Sequence, residues 1–554
     1  MARGYRPVNR DQPLLLPPDM REWLPDDHPV WLVITVVSEH LDTSAFHAGR
    51  KAGGAGAAGY DPDMLVTVLA WAYANRVTSS RQIEERCRTD VAFRVICGGN
   101  TPDHVTIARF RAGFGQAVGE FFAQVLVVCA RLGMGKLGTV ALDGMKIAAS
   151  ASAAANRTGD GLRKLAAGTV ARHGEADAAE DEAFGRGRRG DEVPGPVASP
   201  RSRAARAERA GRIARALAGL EADRQAAQDE RDARARAYLE AAAAGTPPPG
   251  PRPAGADLAA AELRLEQATA AQQARVEDYQ RRTAAKIAAT GTGLPERPPV
   301  PVSQRATVRR AAARAGSART RDAARQGRAL AGEQNRKGPG PVRNITDPDS
   351  RLMPVRGGGF IQGYNAQNVT SSDGLIIATA LSQDPGDVTW FEPMITAAGQ
   401  AAALIAAHRP AAGDGRPGPG GAIGLVLADA GYLSEANLTC PGPDRLIAVG
   451  KRRALEKAAR GSSPAGDQAA TGQATRAMAG RLTTETGIAA YRQRSHIAET
   501  PHGHIKHNLA FRQLSVRGKP KAAAEWAFTC AVHNLLKALT TGHLTRQALT
   551  ALAG

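Results

Sequence analysis

Ile423-Gly424-Leu425-Val426-Leu427-Ala428-Asp429-Ala430-Gly431-Tyr432 is an apolar run of buried-strand type that ends on an acid beside glycine. Val140-Ala141-Leu142-Asp143-Gly144 repeats that pattern far upstream, and Leu446-Ile447-Ala448-Val449 supplies a third apolar strand. Between the first two, Gln362–Val369 suits an extended strand, Ser371-Ser372-Asp373-Gly374 a turn and Leu375–Leu381 a returning strand, which together read as a hairpin. Asp387 is placed as the N-cap of a helix running through Phe391, Met394 and Ile395 to Ala407, and Ser434 opens another. Strands interleaved in this way with helices predict a mixed α/β sheet with helices on its faces.

The composition bounds what surrounds this core. The chain has 554 residues, with 72 Lys and Arg against 53 Asp and Glu, a net charge of +19 that favours a polyanionic partner. At roughly 100–200 residues per domain, about three or four structural units are expected. Apolar residues at 43% suffice for a core, whereas aromatics at 4% imply that part of the chain packs without large side chains. No stretch approaches the roughly 18 apolar residues of a membrane span. The N-terminus has charges with no apolar segment behind them, which predicts no secretory signal. Five cysteines without a C-x-x-C pair predict neither a disulfide framework nor a cysteine zinc site, and a reducing cytosol is the default.

Composition shifts divide the chain. Residues 1–135 read as an all-α N-terminal domain. Within it, Ser79-Ser80 before Arg81-Gln82-Ile83-Glu84-Glu85-Arg86, and Pro102–Arg111, read as two capped basic helices. They suit either a helix-turn-helix-like DNA reader or an ordinary bundle with solvated arginines. Residues 136–155 hold the first core strand. Residues 156–344 are Ala-, Arg- and Gly-rich: 160–200 reads as loop, and 201–244 and 257–288 as two helices broken by the prolines of 245–255. Those two helices would pair as a hairpin through Leu217, Leu220, Leu258, Leu263 and Leu265. A third basic segment follows, with Arg305, Arg309, Arg310, Arg314, Arg319, Arg321, Arg325, Arg328, Arg336 and Lys337 against Asp322 and Glu333. The block is either a solvated spacer or a helical insertion that contacts DNA backbone or another subunit. Residues 345–541 return to the α/β pattern, and 542–554 form a tail.

Two strand-terminal acids, Asp143 and Asp429, on strands able to neighbour each other resemble a divalent-metal site, because Mg²⁺ takes oxygen ligands from one or two carboxylates plus phosphates. Glu499 is the candidate third ligand. Pro501, tolerated in a first helical turn, would put Glu499 at a helix start, with Lys506 two turns on and sharing its face. A carboxylate between Arg494 and Lys506 suits metal binding with phosphates held by the cations. His496, His502, His504 and His507 lack the H-E-x-x-H spacing of a zinc hydrolase and read as polar or capping residues. Asp347 and Asp349 in TDPDSRLM are also able to bind metal, but their Pro-containing setting favours a turn, and they read as acids that support a metal site from behind or as structural acids.

The segments LDGMKIAASAS, TDPDSRLM, GYNAQNV, LADAGYLSEANL and Tyr491-x-x-Arg494…Glu499-x6-Lys506, in that order, resemble the DDE transposases of bacterial insertion sequences. They are most similar to the branch with a Tyr-Arg-Glu-Lys signature. The stretches LPDDHPVW and GYDPDMLVTVLAWAYANRVTSS…TIARFR resemble the helical domain that precedes the catalytic core in such enzymes. The resemblance covers about 5–150 and 345–540 and implies an RNase H-like core interrupted by a long helical insertion after its first strand. It implies that Asp143, Asp429 and Glu499 hold two Mg²⁺, with Mn²⁺ as a substitute, and that Tyr491, Arg494 and Lys506 position DNA and its phosphate. It further implies double-stranded DNA partners (element ends and target), no membrane, a homodimer or larger assembly on DNA, and a cytoplasmic, nucleoid-associated location. One departure stands out: four residues separate Arg494 from Glu499 where the family pattern has three, which calls for a local bulge or a more diffuse role for the arginine. A non-catalytic DNA-binding derivative of the fold and an RNase H-like nuclease without strand transfer are the alternatives.

Overall fold

The computed structural model describes residues 19–48, 59–168, 200–246, 251–334, 341–355, 357–410, 421–450 and 472–553. These divide into two compact units, one drawn from Met1–Ala155 with Thr346–Gly554 and the other from Asn156–Ile345.

Along the chain, α1 (Pro29–Thr35), α2 (Ser44–His47), α3 (Pro62–Ala74), α4 (Ser80–Thr89), α5 (Val91–Ile96), α6 (His104–Ala112) and α7 (Ala117–Arg131) precede strand β1 (Thr139–Ala148). Their starts follow from local chemistry: Asp61, Asp90 and Asp103 accept hydrogen bonds from the free N–H groups of the first turns of α3, α5 and α6. The second unit begins with β2 (Asn156–Thr158), runs through the long helices α8 (Pro200–Ala243), α9 (Ala256–Thr290) and α10 (Ala306–Gln334), and closes with β3 (Val342–Asn344), antiparallel to β2. The first unit resumes with β4 (Arg351–Pro354), β5 (Phe360–Ser371), β6 (Ile376–Ser382), α11 (Phe391–His408), β7 (Leu425–Ala428), α12 (Glu435–Thr439) and β8 (Asp444–Ile447). It ends with α13 (Gln473–Thr483), α14 (Glu485–Gly503), α15 (Lys519–Thr540) and α16 (Arg546–Ala553).

The sheet is mixed, in the order β4-β5-β1-β7-β8, with β6 also pairing β5. β5 runs antiparallel to β1, while β7 and β8 run parallel to it. Alternation along β1 splits its side chains between two cores. Val140 and Leu142 enter the larger one, with Phe121, Phe391, Phe528 and Trp526 from α7, α11 and α15. Ala141 enters the smaller one, with Leu427, Leu446, Met478, Leu482, Ile497 and Ala498. Helices therefore cover both faces, as expected from the interleaved pattern. Among the described residues no single helix is long and apolar enough to cross a membrane.

Several local expectations are corrected. Residues 160–168, expected as loop, are helical, and the rest of that loop up to 199 lies outside the described residues. The insertion is not a two-helix hairpin: α9 packs against both α8 and α10. Leu263 is 44% exposed, whereas Leu220 is buried with Leu162, Ile213 and Ala216. Leu217 and Leu220 of α8 instead pack with Leu162 and Leu165 from the segment before it, so leucine positions alone misplace the seam. Residues 546–553, assigned to a tail, form α16, whose Leu549 is buried in the main core.

α15 is the buried centre of the first unit. His533 on it is 3% exposed and meets His504 Nδ1 at 3.0 Å and the Gly374 carbonyl at 3.1 Å. Burial, with the charges of His504, Lys537 and His502 and against the Gly374 carbonyl, pushes the His533 pKa down from an ordinary 6.5 to about 3. The unfolded chain therefore takes up this proton first as pH falls. Stability should drop by up to about 1.4 kcal/mol per pH unit from this group below roughly pH 6.5. Urea midpoints followed by tryptophan emission should fall from pH 7 to pH 5, and less steeply in His533→Asn; equal slopes would rule this group out as the source.

Candidate active site

β1 and β7 pair in parallel with Ala141 opposite Leu427 and Leu142 opposite Ala428, so Asp429 follows the end of β7 while Asp143, expected at a strand end, lies mid-strand in β1, which continues along β5 to Ala148. Alternation aims them, like Ala141 and Leu427, at the face covered by α14. On α14, Tyr491, Arg494, Ala498 and His502 recur at three- and four-residue intervals and line the inner face. Arg494 Nη2 donates to Asp143 Oδ1 at 2.9 Å and lies 3.6 Å from Asp429 Oδ2, and its Nη1 is 4.0 Å from Glu499 Oε1. The Asp143, Asp429 and Glu499 carboxylates thus converge on one guanidinium. His502, 8% exposed, sets Nδ1 3.5 Å from Asp143 Oδ2.

The electrostatics separate the two aspartates. Burial pushes Asp143 up, but the His502 ring and the Arg494 guanidinium outweigh it and hold the carboxyl below its ordinary value. Asp429 goes the other way: burial, with the charges of Asp143 and Asp387 added, exceeds the relief from Arg494. Burial disfavours the Arg494 cation too, yet Asp143, Tyr491, Asp429 and Glu499 more than offset it. Burial and the Arg512 charge lower Lys506, with Asp143 opposing. A cluster of acids around a clamped arginine is a place where cations and phosphate oxygens can exchange partners.

Three expectations about Glu499 and its neighbours change. Glu499 lies in the last turn of α14, because the helix begins far upstream, where the Thr484 hydroxyl caps the Gly487 N–H. Pro501 sits inside that helix; its missing N–H and steric clash cost about 3 kcal/mol in a helix interior, offset here by the burial of Ile497, Ala498, Pro501 and His502. No bulge takes up the extra residue between Arg494 and Glu499: α14 is regular there, and the π-turn comes later, at His504–Asn508. The extra residue instead rotates Glu499 by about 100° around the helix, leaving its side chain 60% exposed at the rim of the site. Tyr491, expected to position DNA, donates its hydroxyl to the Ala428 carbonyl at 3.1 Å, just before Asp429.

Residues 18–113 match the family model of a transposase domain of otherwise undefined role, and residues 462–539 match that of a transposase DDE domain. The two matches, one towards each end of the chain, are consistent with a DDE transposase. No curated protein and no solved structure matches the chain.

Asp387 is the residue whose role was least legible. It caps no helix: Val388–Trp390 is a 3₁₀ turn before α11 and takes no bond from the Asp387 side chain. Its Oδ1 instead accepts from Asn365 at 2.6 Å and Gln367 at 2.7 Å, with Lys146 Nζ at 3.5 Å. Gln367 in turn accepts from the Tyr432 hydroxyl. GYNAQNV and the Asp-Ala-Gly-Tyr turn are therefore parts of one polar network behind the two aspartates. Gly144 is required at this point, because a Cβ there would lie 2.5 Å from Asp387 Oδ1 and 2.6 Å from Gln367 Nε2. Only the repeated Asn, Gln and Tyr after apolar strand residues hinted at the network. Asp347 accepts from Tyr364 at 2.8 Å and Gly518 N at 3.1 Å, and Asp349 from Lys519 N at 2.8 Å. Both therefore serve the start of α15, in the structural role expected of them. A separate group, His47 with Asp61 and Asp63, lies in the N-terminal helices and is largely accounted for by capping of α3 and an internal His47–Asp63 bond.

In the N-terminal helices, Ser80 accepts from Arg111 Nη2 at 2.8 Å, and Arg111 is 6% exposed. Arg111 therefore serves packing, while Arg81 and Val105 remain exposed on the two helices.

Proposed function

We propose that this transposase cuts phosphodiester bonds at the ends of an insertion sequence and joins them to target DNA, using an RNase H-like core with Asp143, Asp429 and Glu499 as divalent-metal ligands. The observation that carries this reading is the convergence of three carboxylates, from two adjacent parallel strands and one helix, on Arg494. Their all-oxygen donor set suits Mg²⁺, with Mn²⁺ as a substitute. Buried Arg494 Nε and His502 Nε2 have no hydrogen-bond partner among the described residues, as fits a polar site with capacity for a further occupant. When bound, a pair of such ions supplies activation of the attacking oxygen and charge stabilisation of the leaving oxygen.

The chain's own residues account for the rest. Arg494 balances the carboxylates in the free protein and offers its fork to a phosphate once they are otherwise engaged. Tyr491 fixes the end of β7 and hence Asp429, Lys506 supplies a half-buried cation on the same side, and His502 orients Asp143. The partners are double-stranded element ends and target DNA. A homodimer or larger assembly on DNA, and a cytoplasmic, nucleoid-associated location, follow from that role.

The test uses duplexes carrying the DNA that flanks the reading frame. With Mg²⁺ the full chain should nick them at the element boundary and yield joined products with a second duplex; with chelator it should do neither. Nicks without joined products would support a nuclease instead, and metal-independent binding without nicking a non-catalytic derivative.

A further inference from the structure

In the second unit some exposed arginines pair with a nearby acid, while Arg209, Arg215, Arg224, Arg236, Arg264 and Arg275 on α8 and α9 form no ion pair among the described residues. Arg234 pairs with Glu230, Arg282 with Asp278, Arg281 with Asp278 and Arg252 with Asp257, and before α8 Arg163 pairs with Asp160. On α10 five of the unpaired arginines gather on one face. Arg310, Arg314, Arg321, Arg325 and Arg328 are all exposed, and none forms an ion pair among the described residues. At 3.6 residues per turn they fall within about 60° of arc and span roughly 27 Å. Between them on that face stand only small side chains such as Ser317 and Ala324.

The rest of α10 is differently committed. Val308, Ala315, Ala318 and Asp322 are buried, and Asp322, the sole carboxylate over 306–328, binds Arg231 of α8 at 2.6 Å and Gln326 at 2.8 Å. Arg319, on another side, pairs with Glu262 of α9. The stripe is thus a one-sided row of cations on a helix held in place by its neighbours, with its own acid turned inward.

We propose that this stripe is a sequence-independent docking surface for the phosphate backbone of duplex DNA. The proposal rests on the transposase reading for the identity of its substrate. A duplex carries one charge per about 1.7 Å of axis, so a 27 Å row faces on the order of eight base pairs without needing a particular register. Small intervening side chains let the backbone approach. A protein partner fits less well, since protein interfaces centre on buried aromatic or apolar anchors and the stripe has none.

The experiment replaces Arg310, Arg314, Arg321, Arg325 and Arg328 with Gln in the full chain and measures binding to a duplex without element ends across a salt series. Glutamine keeps helix propensity, and circular dichroism checks it. A control replaces Arg163, Arg234, Arg252, Arg281 and Arg282, an equal change in net charge at paired positions. The stripe variant should bind at least about 100-fold more weakly at low salt, with a log K against log salt slope shallower by about 4. The control should change far less. Equal effects in both variants would reduce the stripe to bulk charge and overturn the proposal, as would an unchanged slope or a loss of self-association in place of DNA binding. Retained binding in a wild-type chain that cuts no element ends would sink the catalytic reading and leave the stripe standing.

Discussion

Asp143→Asn and Asp429→Asn should each lose cleavage of end-containing DNA by about a thousandfold or more, while duplex binding stays within a few-fold of wild type. On the proposed metal-ligand reading, each substitution removes a charged oxygen ligand but keeps shape, and several kcal/mol of transition-state charge stabilisation would go with it. The two aspartates are equivalent in strand register, yet their environments differ. Asp143 is held ionised by His502 and Arg494, whereas burial and its acidic neighbours push Asp429 up. Neutralising Asp143 therefore also removes the opposite charge from Arg494's 2.9 Å hydrogen bond. Single-turnover cleavage and fluorescence anisotropy on the same duplex separate the two effects. Wild-type cleavage by Asp429→Asn would remove that residue from the catalytic set, and parallel losses of binding and cleavage would make the cluster structural.

Glu525→Ala should destabilise the first unit by about 3–5 kcal/mol, the cost of leaving a buried partner charge unpaired. Glu525 on α15 is fully buried and accepts from Tyr73 at 2.8 Å and from Ser515 N at 2.8 Å, with Arg111 Nε at 3.8 Å. Arg111, 6% exposed, also binds the Thr78 carbonyl and Ser80. One carboxylate therefore ties the N-terminal helices α3, α4 and α6 to the last helices of the core. All five tryptophans lie within the first unit, so their emission in a urea titration reports this transition without the insertion. Glu525→Leu with Arg111→Met should recover part of the loss, because no unpaired charge remains. A shift below about 1 kcal/mol in Glu525→Ala would show that water repairs the cluster.

The apolar strands that carry or precede Asp143 and Asp429, the hairpin of 362–381 and the helical N-terminus were all legible in the residues, because burial period and turn chemistry are local properties, whereas the continuation of β1 past Asp143 to Ala148 was not. So was Arg494, through the spacing of its signature. The extra residue before Glu499 was also visible, but its consequence was not: a continuous α14 turns Glu499 to the rim, which depends on where the helix starts and on packing that tolerates Pro501. Asp387 was misread as a cap, since an acid before a helix is the commonest form of that signal. Its amide partners arrive from β5, twenty or so residues earlier. Likewise, the acids of α8 and α9 are readable as partners four residues away, but the bareness of the α10 stripe emerges only once Asp322 is seen turned inward toward Arg231. The sequence by itself determined the apolar strands, the acids beside them and the excess of positive charge. Tertiary structure decided which charges neutralise one another and which stay free, because side chains far apart in the chain meet only after the sheet and its covering helices have packed.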